Sequence, residues 1–177
     1  MWNQKSASKA KEDLLVSSEV FTLPNITLED NILTFILDVD FTNIPCSTVL
    51  LDTTSGKLHP AGIKLSVNSE GYFKVSIGTC NTLSTTVFQK TGVMGARRTI
   101  ALTVDCKAGI IYALSDGKFL DGADEDRYGW QKFPKDIFAL EASSGKMNTV
   151  YLKSARFFLN GLSVSRVCMD YNCDAEK

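Results

Sequence analysis

The stretch LDGADEDRYGW, residues 120–130, contains a dense group of charged and aromatic side chains that could bind a ligand or a metal ion: Asp121, Asp124, Glu125, Asp126, Arg127, Tyr128 and Trp130. Carboxylates clustered on one loop suit a hard cation such as calcium, which takes about six to eight oxygen ligands. The pattern therefore allows a calcium site formed by Asp121, Asp124 and Asp126. The spacing differs from that of an EF-hand loop, so a solvated acidic loop is the simpler interpretation.

The aromatic residues of the same stretch are typical of a carbohydrate-binding site. Sugars present apolar C–H faces ringed by hydroxyls, so an exposed ring can stack on the sugar while charged groups bond to its hydroxyls. We expect Tyr128 and Trp130 to stack on a sugar, with Arg127 beside them. Asp124 and Asp126 would accept hydrogen bonds from the sugar hydroxyls. Trp130 could equally close one end of the folded core, and the sequence leaves both roles open.

Composition and charge narrow the class of protein that carries these residues. The chain has 177 residues, 44% of them hydrophobic and 22% charged, which suits one globular domain. Its net charge of −1 argues against a nucleic-acid surface, and no apolar run approaches the roughly 18 to 20 residues that cross a bilayer. The first residues lack a secretory signal, so we expect synthesis in a cytosol. With five cysteines, one histidine and no CxxC motif, we expect reduced thiols and no zinc site.

From Pro24 onward, apolar and polar residues alternate with a period of two. In NILTFILDVDF this alternation predicts a long strand whose buried residues are Leu33, Phe35, Leu37, Val39 and Phe41. GIKLSV and YFKVSI, joined by NSEG, predict a hairpin that buries Ile63, Leu65, Val67, Phe73, Val75 and Ile77. RTIALTVD and IIYALS predict two more strands, and Asp116-Gly117 predicts a hairpin turn. Further strands are expected in VLLDT, DIFALE and TVYLKSARFFL.

About ten strands with one apolar face each cannot form a single open sheet, because the exposed apolar area would be too large for a globular protein. Two antiparallel sheets packed face to face bury both apolar faces. We therefore predict an all-β, two-sheet β-sandwich over residues 21–177. Residues 1–20 are polar and predict a short amino-terminal arm or helix that docks on another subunit, although a boundary segment without a role stays open.

The order of these segments resembles the concanavalin A-like jelly roll, particularly its laminin-G-like branch. In that branch a strand ending in a turn such as Asp116-Gly117 follows a strand of the type ALTVD, and a late strand such as ARFFLNGLS leads into a short helical turn. The resemblance covers about Phe21 to Val167 and depends on the order of the segments. It implies a curved sandwich whose concave sheet and rim loops bind sugars. It also implies a non-catalytic module of the kind found in bacterial surface proteins and phage fibres.

Residue patterns for catalysis are weaker than those for binding. Relatives of this fold that cut glycans carry an E-x-D-x-x-E strand, and retaining chemistry needs two carboxyl groups about 5 Å apart. That pattern is absent. Asp38 and Asp40 share a strand face about 7 Å apart, and solvent exposure explains them. His59 has no Gly-x-Ser-x-Gly motif or partner signal, so we expect no enzyme and keep a glycan-cleaving enzyme as the weakest alternative.

These patterns together predict a non-catalytic carbohydrate-recognition module, either the receptor-binding tip of a phage fibre or a surface adhesin. We expect it on a virion or an extracellular surface, where it would bind a cell-surface glycan without nucleic acid, membrane insertion or a cofactor other than the calcium considered above. Single sugar contacts are weak, so several copies must bind at once, which predicts a homo-oligomer such as a trimer. An alternative from a different class is an assembly domain of a viral particle with protein contacts only.

Overall fold

The computed structural model describes residues 13–22, 26–27, 32–54, 62–78, 83–88, 95–105, 110–120, 130–132, 139–140, 144–158, 161–162 and 167. Within these ranges the strands are β1 (Asp13–Val16), β2 (Val20–Thr22), β3 (Ile26–Thr27), β4 (Ile32–Asp40), β5 (Val49–Asp52), β6 (Gly62–Val67), β7 (Phe73–Gly78), β8 (Leu83–Phe88), β9 (Arg97–Asp105), β10 (Ile110–Ser115), β11 (Lys118–Phe119), β12 (Trp130–Lys132), β13 (Ala139–Leu140), β14 (Ser144–Met147) and β15 (Leu152–Phe158). In this described part of the chain, no helix has the length and apolar character needed to span a membrane.

The strands pair into two main antiparallel sheets. Sheet A has the order β1-β15-β4-β9-β10-β11, and β12 also pairs with β10. Sheet B has the order β2-β14-β5-β6-β7-β8, while β3 and β13 form a separate two-stranded ladder. The predicted all-β sandwich of two antiparallel sheets is therefore confirmed.

The core lies between the inner faces of the two sheets. Alternate residues of β4, β6 and β7 are buried there, as predicted: Leu33, Phe35, Leu37, Val39, Ile63, Leu65, Val67, Phe73, Val75 and Ile77. In β9 the same alternation buries Ile100, Leu102 and Val104. Phe157 of β15 contacts Phe35 edge-on at 5.1 Å between ring centroids and Phe21 at 5.8 Å. These rings join β2 of sheet B to β4 and β15 of sheet A, and aromatic pairs of this kind add to the burial of apolar area.

Two of the predicted turns form as the residue types indicate. Between β6 and β7, the Asn68 side chain accepts hydrogen bonds from the amides of Glu70 and Tyr72, and Gly71 has a φ of 85°. Between β10 and β11, Asp116 and Gly117 have φ angles of 47° and 75°. Positive φ at both central residues defines the type I′ turn that joins tightly paired strands.

The amino-terminal part of the described chain belongs to the sandwich. β1 pairs with β15 at one edge of sheet A, and β2 pairs with β14 at the corresponding edge of sheet B. Val16 and Phe21 are buried in the core. The sandwich therefore includes residues 13–20, which the sequence analysis assigned to an arm, because strands of four and three residues are too short to show a clear alternation. Residues 1–12 lie outside the described residues.

Sheet A also buries part of its outer face, which the expectation of one apolar face per strand did not include. Tyr112, Leu114, Leu162 and Val167 belong to a second apolar cluster there. Beneath it, Thr34 of β4 lies opposite Thr103 of β9, with their hydroxyl oxygens 3.0 Å apart, and the Thr34 oxygen also accepts a hydrogen bond from the Leu162 amide. These contacts hold the chain after β15 against the outer face.

Candidate functional site

Most residues of the predicted site lie outside the described residues. These are the proposed sugar and calcium contacts Asp121, Asp124, Asp126, Arg127 and Tyr128, together with Glu125. The structure places the two ends of this segment: Leu120, which follows β11, and Trp130, which begins β12. For Trp130 it gives the backbone position, so stacking or core closure by its side chain stays a prediction.

The segment is inserted into the pairing at the edge of sheet A. β11 pairs with β10 through Phe119 opposite Leu114, and the Leu120 amide then donates to the carbonyl oxygen of Ala113 at 2.9 Å. The next residue of β10, Tyr112, lies opposite Trp130 of β12. Since β9 occupies the other side of β10, β11 and β12 are two parts of one interrupted edge strand. Residues 121–129 connect these two parts.

Two aromatic rings lie on sheet A beside this insertion. The rings of Tyr112 and Phe119 are 5.9 Å apart between centroids and inclined at 58°. Tyr112 is buried, whereas Phe119 is 43% exposed, so its ring is accessible next to the point where the segment leaves the sheet. Sequence analysis did not single out Phe119. The available signal was its position just after the Asp116-Gly117 turn and just before the acidic stretch.

The arginine and carboxylate side chains near the β9–β10 end of sheet A are paired with one another. Asp116 accepts hydrogen bonds from the Arg98 guanidinium at 2.8 Å and from the Thr99 amide at 3.1 Å. Arg97 forms two hydrogen bonds to Asp38, and the Nε–Oδ1 bond is 2.8 Å long. These contacts raise the pKa of Arg97, first through the hydrogen bond and then through the charge of Asp38.

The carboxylates of β4 have the environment of solvent-facing acids. Asp38 is held by Arg97, and Asp40 accepts a hydrogen bond from the Thr42 amide at 3.0 Å. Hydrogen bonds from the side chain and then the backbone of Thr42 lower the pKa of Asp40. A general acid of a glycosidase needs a raised pKa, so the lowered pKa of Asp40 does not suit that role.

Metal-binding and thiol chemistry have little support among the described residues. No group of three histidine, cysteine or acidic side chains in those ranges could hold a metal ion. The predicted calcium ligands and His59 lie outside those ranges. Cys46 is exposed with a free thiol, and the other four cysteines fall outside the described residues.

Comparison of the chain with protein-family models and with curated proteins finds no match. Solved structures do resemble the fold. The CBM40 of Ruminococcus gnavus IT-sialidase, bound to α2,6 sialyllactose, superposes with a TM-score of 0.57 at 14% identity, covering 88% of this chain and 97% of that one. The same domain bound to α2,3 sialyllactose gives a TM-score of 0.56 at 14% identity, covering 89% and 98%.

A second kind of neighbour is the binding domain of botulinum neurotoxin serotype D. It superposes with a TM-score of 0.60 at 14% identity, covering 92% of this chain. The chain spans 42% of that neurotoxin domain. At such low identity these likenesses concern the fold, and they agree with a sandwich of two antiparallel sheets.

Proposed function

We propose that this domain is a non-catalytic carbohydrate-recognition module that binds a cell-surface glycan. The observation that carries the proposal is the position of the acidic and aromatic segment 121–129, inserted between β11 and β12 beside the accessible ring of Phe119. Neighbours of the same fold support it. The CBM40 domain was solved bound to sialyllactose, and a botulinum neurotoxin DC binding domain was solved in complex with SialylT.

The site would combine stacking and hydrogen bonding. Phe119, Tyr128 and Trp130 supply rings for the apolar face of a sugar, and Asp124 and Asp126 accept bonds from its hydroxyls. Arg127 would add a donor. Calcium held by Asp121, Asp124 and Asp126 would order the segment before the sugar arrives.

Weak single contacts give useful strength only when several copies bind together. A homo-oligomer such as a trimer, at the tip of a phage fibre or in a surface adhesin, therefore fits this site. The resemblance to the concanavalin A-like jelly roll agrees with such a module, displayed on a virion or an extracellular surface.

The test is a glycan array that includes α2,3 and α2,6 sialyllactose, probed with the full chain and two variants. Trp130→Ala is expected to abolish binding while the unfolding midpoint changes little, because the ring would contact the sugar rather than the core. Phe119→Ala is expected to weaken binding to a smaller extent. The matched control is Val150→Ala, an exposed apolar residue in the turn between β14 and β15, which should leave binding unchanged.

Two results would contradict the proposal, and a third would change the residues assigned to the site. If the parent chain gives no signal on an array with densely immobilised glycans, the proposed function is wrong. If Val150→Ala loses as much binding as Trp130→Ala, the glycan site is not at the β11–β12 edge. If Trp130→Ala instead lowers the unfolding midpoint strongly, the residue belongs to the core, and Phe119→Ala alone then decides whether the site lies at this edge.

A second candidate is an assembly domain whose surface contacts only protein. Leu15 on β1 and Val20 on β2 are 58% and 61% exposed on the edge strands of the two sheets. The backbone N–H and C=O groups of an edge strand can pair with a strand of another chain, and exposed apolar side chains on that edge favour the contact. An assembly domain would give no array signal with any sugar, and Leu15→Lys together with Val20→Lys would lower its oligomeric state in sedimentation experiments.

A further inference from the structure

Three lysines lie on the outer face of sheet B, on strands that are close neighbours. Lys64 is in β6, Lys74 in β7 and Lys146 in β14, and their strand positions alternate with buried core residues. Asp52 of β5 lies between two of them in the pairing, opposite both Lys64 and Lys146. We call this set of Lys64, Lys74 and Lys146 the lysine face.

The register fixes the spacing of these charges. Lys146 and Lys64 are separated by one strand, so their backbones lie about 10 Å apart across the sheet. Lys64 lies opposite Ser76 and Lys74 lies opposite Ser66, which makes the two lysines diagonal neighbours at about 7 to 8 Å. The three lysines therefore occupy neighbouring positions on one face of sheet B.

In the part of the chain that the structure describes, few acidic side chains lie beside the three lysines. Among the described residues that lie directly opposite the lysines on neighbouring strands, Asp52 is the acidic one. Its nearest oxygen is 3.9 Å from the Lys64 ammonium. Asp52 also accepts a hydrogen bond from the Thr54 amide at 2.7 Å. Neither Lys74 nor Lys146 forms an ion pair with any described residue. Counting the described residues alone, the lysine face therefore carries more positive than negative charge, in a chain whose net charge is −1.

Two small residues, Ser66 and Ser76, lie beside the lysines on this face. Ser66 and Ser76 are 8% and 5% exposed although they lie on the outer side of the sheet. Long lysine side chains commonly lay their aliphatic stems over neighbouring surface and keep the ammonium in water. Each serine has a lysine directly opposite it, so we expect the stems to cover the serines and the ammoniums to project outward.

We infer that the lysine face binds a linear polysaccharide that bears carboxylates. Ammonium groups are compact point charges that bind anions without a fixed geometry, as a chain of separated carboxylates requires. DNA presents a dense line of charge, about one phosphate for every 1.7 Å of helix axis when both strands are counted. A nucleic-acid-binding domain usually has a pI above about 9, against 5.8 here. A polyuronate, with one carboxylate on each sugar or on every second sugar, has a lower density of charge and suits three lysines on separate strands.

This site is separate from the one proposed on sheet A. That site is at the β11–β12 edge, and it recognises a sugar by stacking, whereas the lysine face would recognise charge along a chain. Binding at the lysine face should weaken steeply with added salt, because exposed charge pairs are screened. The two functions can therefore be lost independently.

The test uses surface plasmon resonance with hyaluronan and polygalacturonate immobilised at low ionic strength, and heparin and single-stranded DNA in parallel. The combined variant Lys64→Gln, Lys74→Gln and Lys146→Gln is expected to lose about tenfold in affinity for the polyuronates. The matched control Lys118→Gln, Lys153→Gln and Arg156→Gln removes three exposed cations of sheet A and the same net charge. It should change affinity by less than about twofold.

The outcomes separate this inference from the proposed function. The lysine variant should keep the Trp130-dependent signal on the glycan array. Absence of polyuronate binding by the parent chain, or equal losses in the two triple variants, would overturn the inference. Tighter binding of heparin or DNA than of the polyuronates would assign the lysine face to a denser polyanion and would overturn the choice of ligand.

Discussion

Phe157 and the Asp38–Arg97 pair illustrate how differently single residues contribute to this domain. The Phe157 ring is fully buried and contacts rings from both sheets. Arg97 is 63% exposed, so its pairing with Asp38 is screened by water. The first contact is a structural requirement of the sandwich, and the second is a feature of its surface.

Replacing these residues should therefore give very different losses of stability. Phe157→Ala is expected to lower the free energy of unfolding by about 3 to 5 kcal/mol, because a large cavity remains between the sheets. Asp38→Asn is expected to cost no more than about 1 kcal/mol. Urea unfolding followed by fluorescence measures both, and similar losses for the two variants would contradict this account of the core.

At the residue scale, the core was predictable from the sequence and the site was only partly so. Phe35 and Leu102 follow from alternation, because a period of two places every second side chain on one face. Phe119 could not be recognised in advance, since its exposure depends on the interruption of the edge strand after it. The burial of Tyr112 depends on residues 162 and 167, which reach it through tertiary structure.

Among the elements, the β10–β11 hairpin is the clearest case of a turn dictated by residue type. Gly117 has a φ of 75°, a conformation in which a Cβ atom costs roughly 1 to 2 kcal/mol. Asp116 stabilises the same turn, because its carboxylate accepts from Arg98 and from the Thr99 amide. The turn also orients Phe119 two residues later.

Gly117→Ala should therefore destabilise the domain by about 1 kcal/mol through this turn. Gly117→Asn is the matched control, because asparagine tolerates positive φ and should stay closer to the parent chain. Thermal unfolding of the two variants makes the comparison. If alanine and asparagine are equally harmful, the loss comes from the surroundings of the turn and not from its backbone conformation.

Other elements were beyond sequence analysis for identifiable reasons. β14 contains a glycine and a lysine and has no apolar alternation, yet Gly145 is required by packing. A Cβ atom there would lie 2.3 Å from the ring of Phe21. β11 and β12 are too short to be recognised singly, since two and three residues give no periodicity. These two short strands form because their backbones pair with β10.

For the molecule as a whole, the two outer sheet faces have different character. The outer face of sheet A has an apolar cluster, and Arg97 on the same face is paired with Asp38. The outer face of sheet B has the lysine face. Two faces on opposite sides of one sandwich could bind two ligands at once. The sequence indicated alternation on each strand, but the charge of a face depends on which strands become neighbours.

Deleting residues 121–129 is a test of how the molecule is organised. The pairing places Leu120 opposite Ala113 and Trp130 opposite Tyr112, so the deletion joins two positions that are adjacent along β10. We expect the unfolding midpoint to stay close to that of the parent chain and glycan binding to disappear. A large loss of stability would show that the segment belongs to the core. Retained binding would move the site elsewhere.

The same register has a consequence for how such a domain can change. A segment that begins and ends at adjacent positions of one edge can vary in length and composition without shifting any other pairing in sheet A. New ligand specificities could then arise by exchange of this one stretch, in nature or in the laboratory, on an otherwise constant framework.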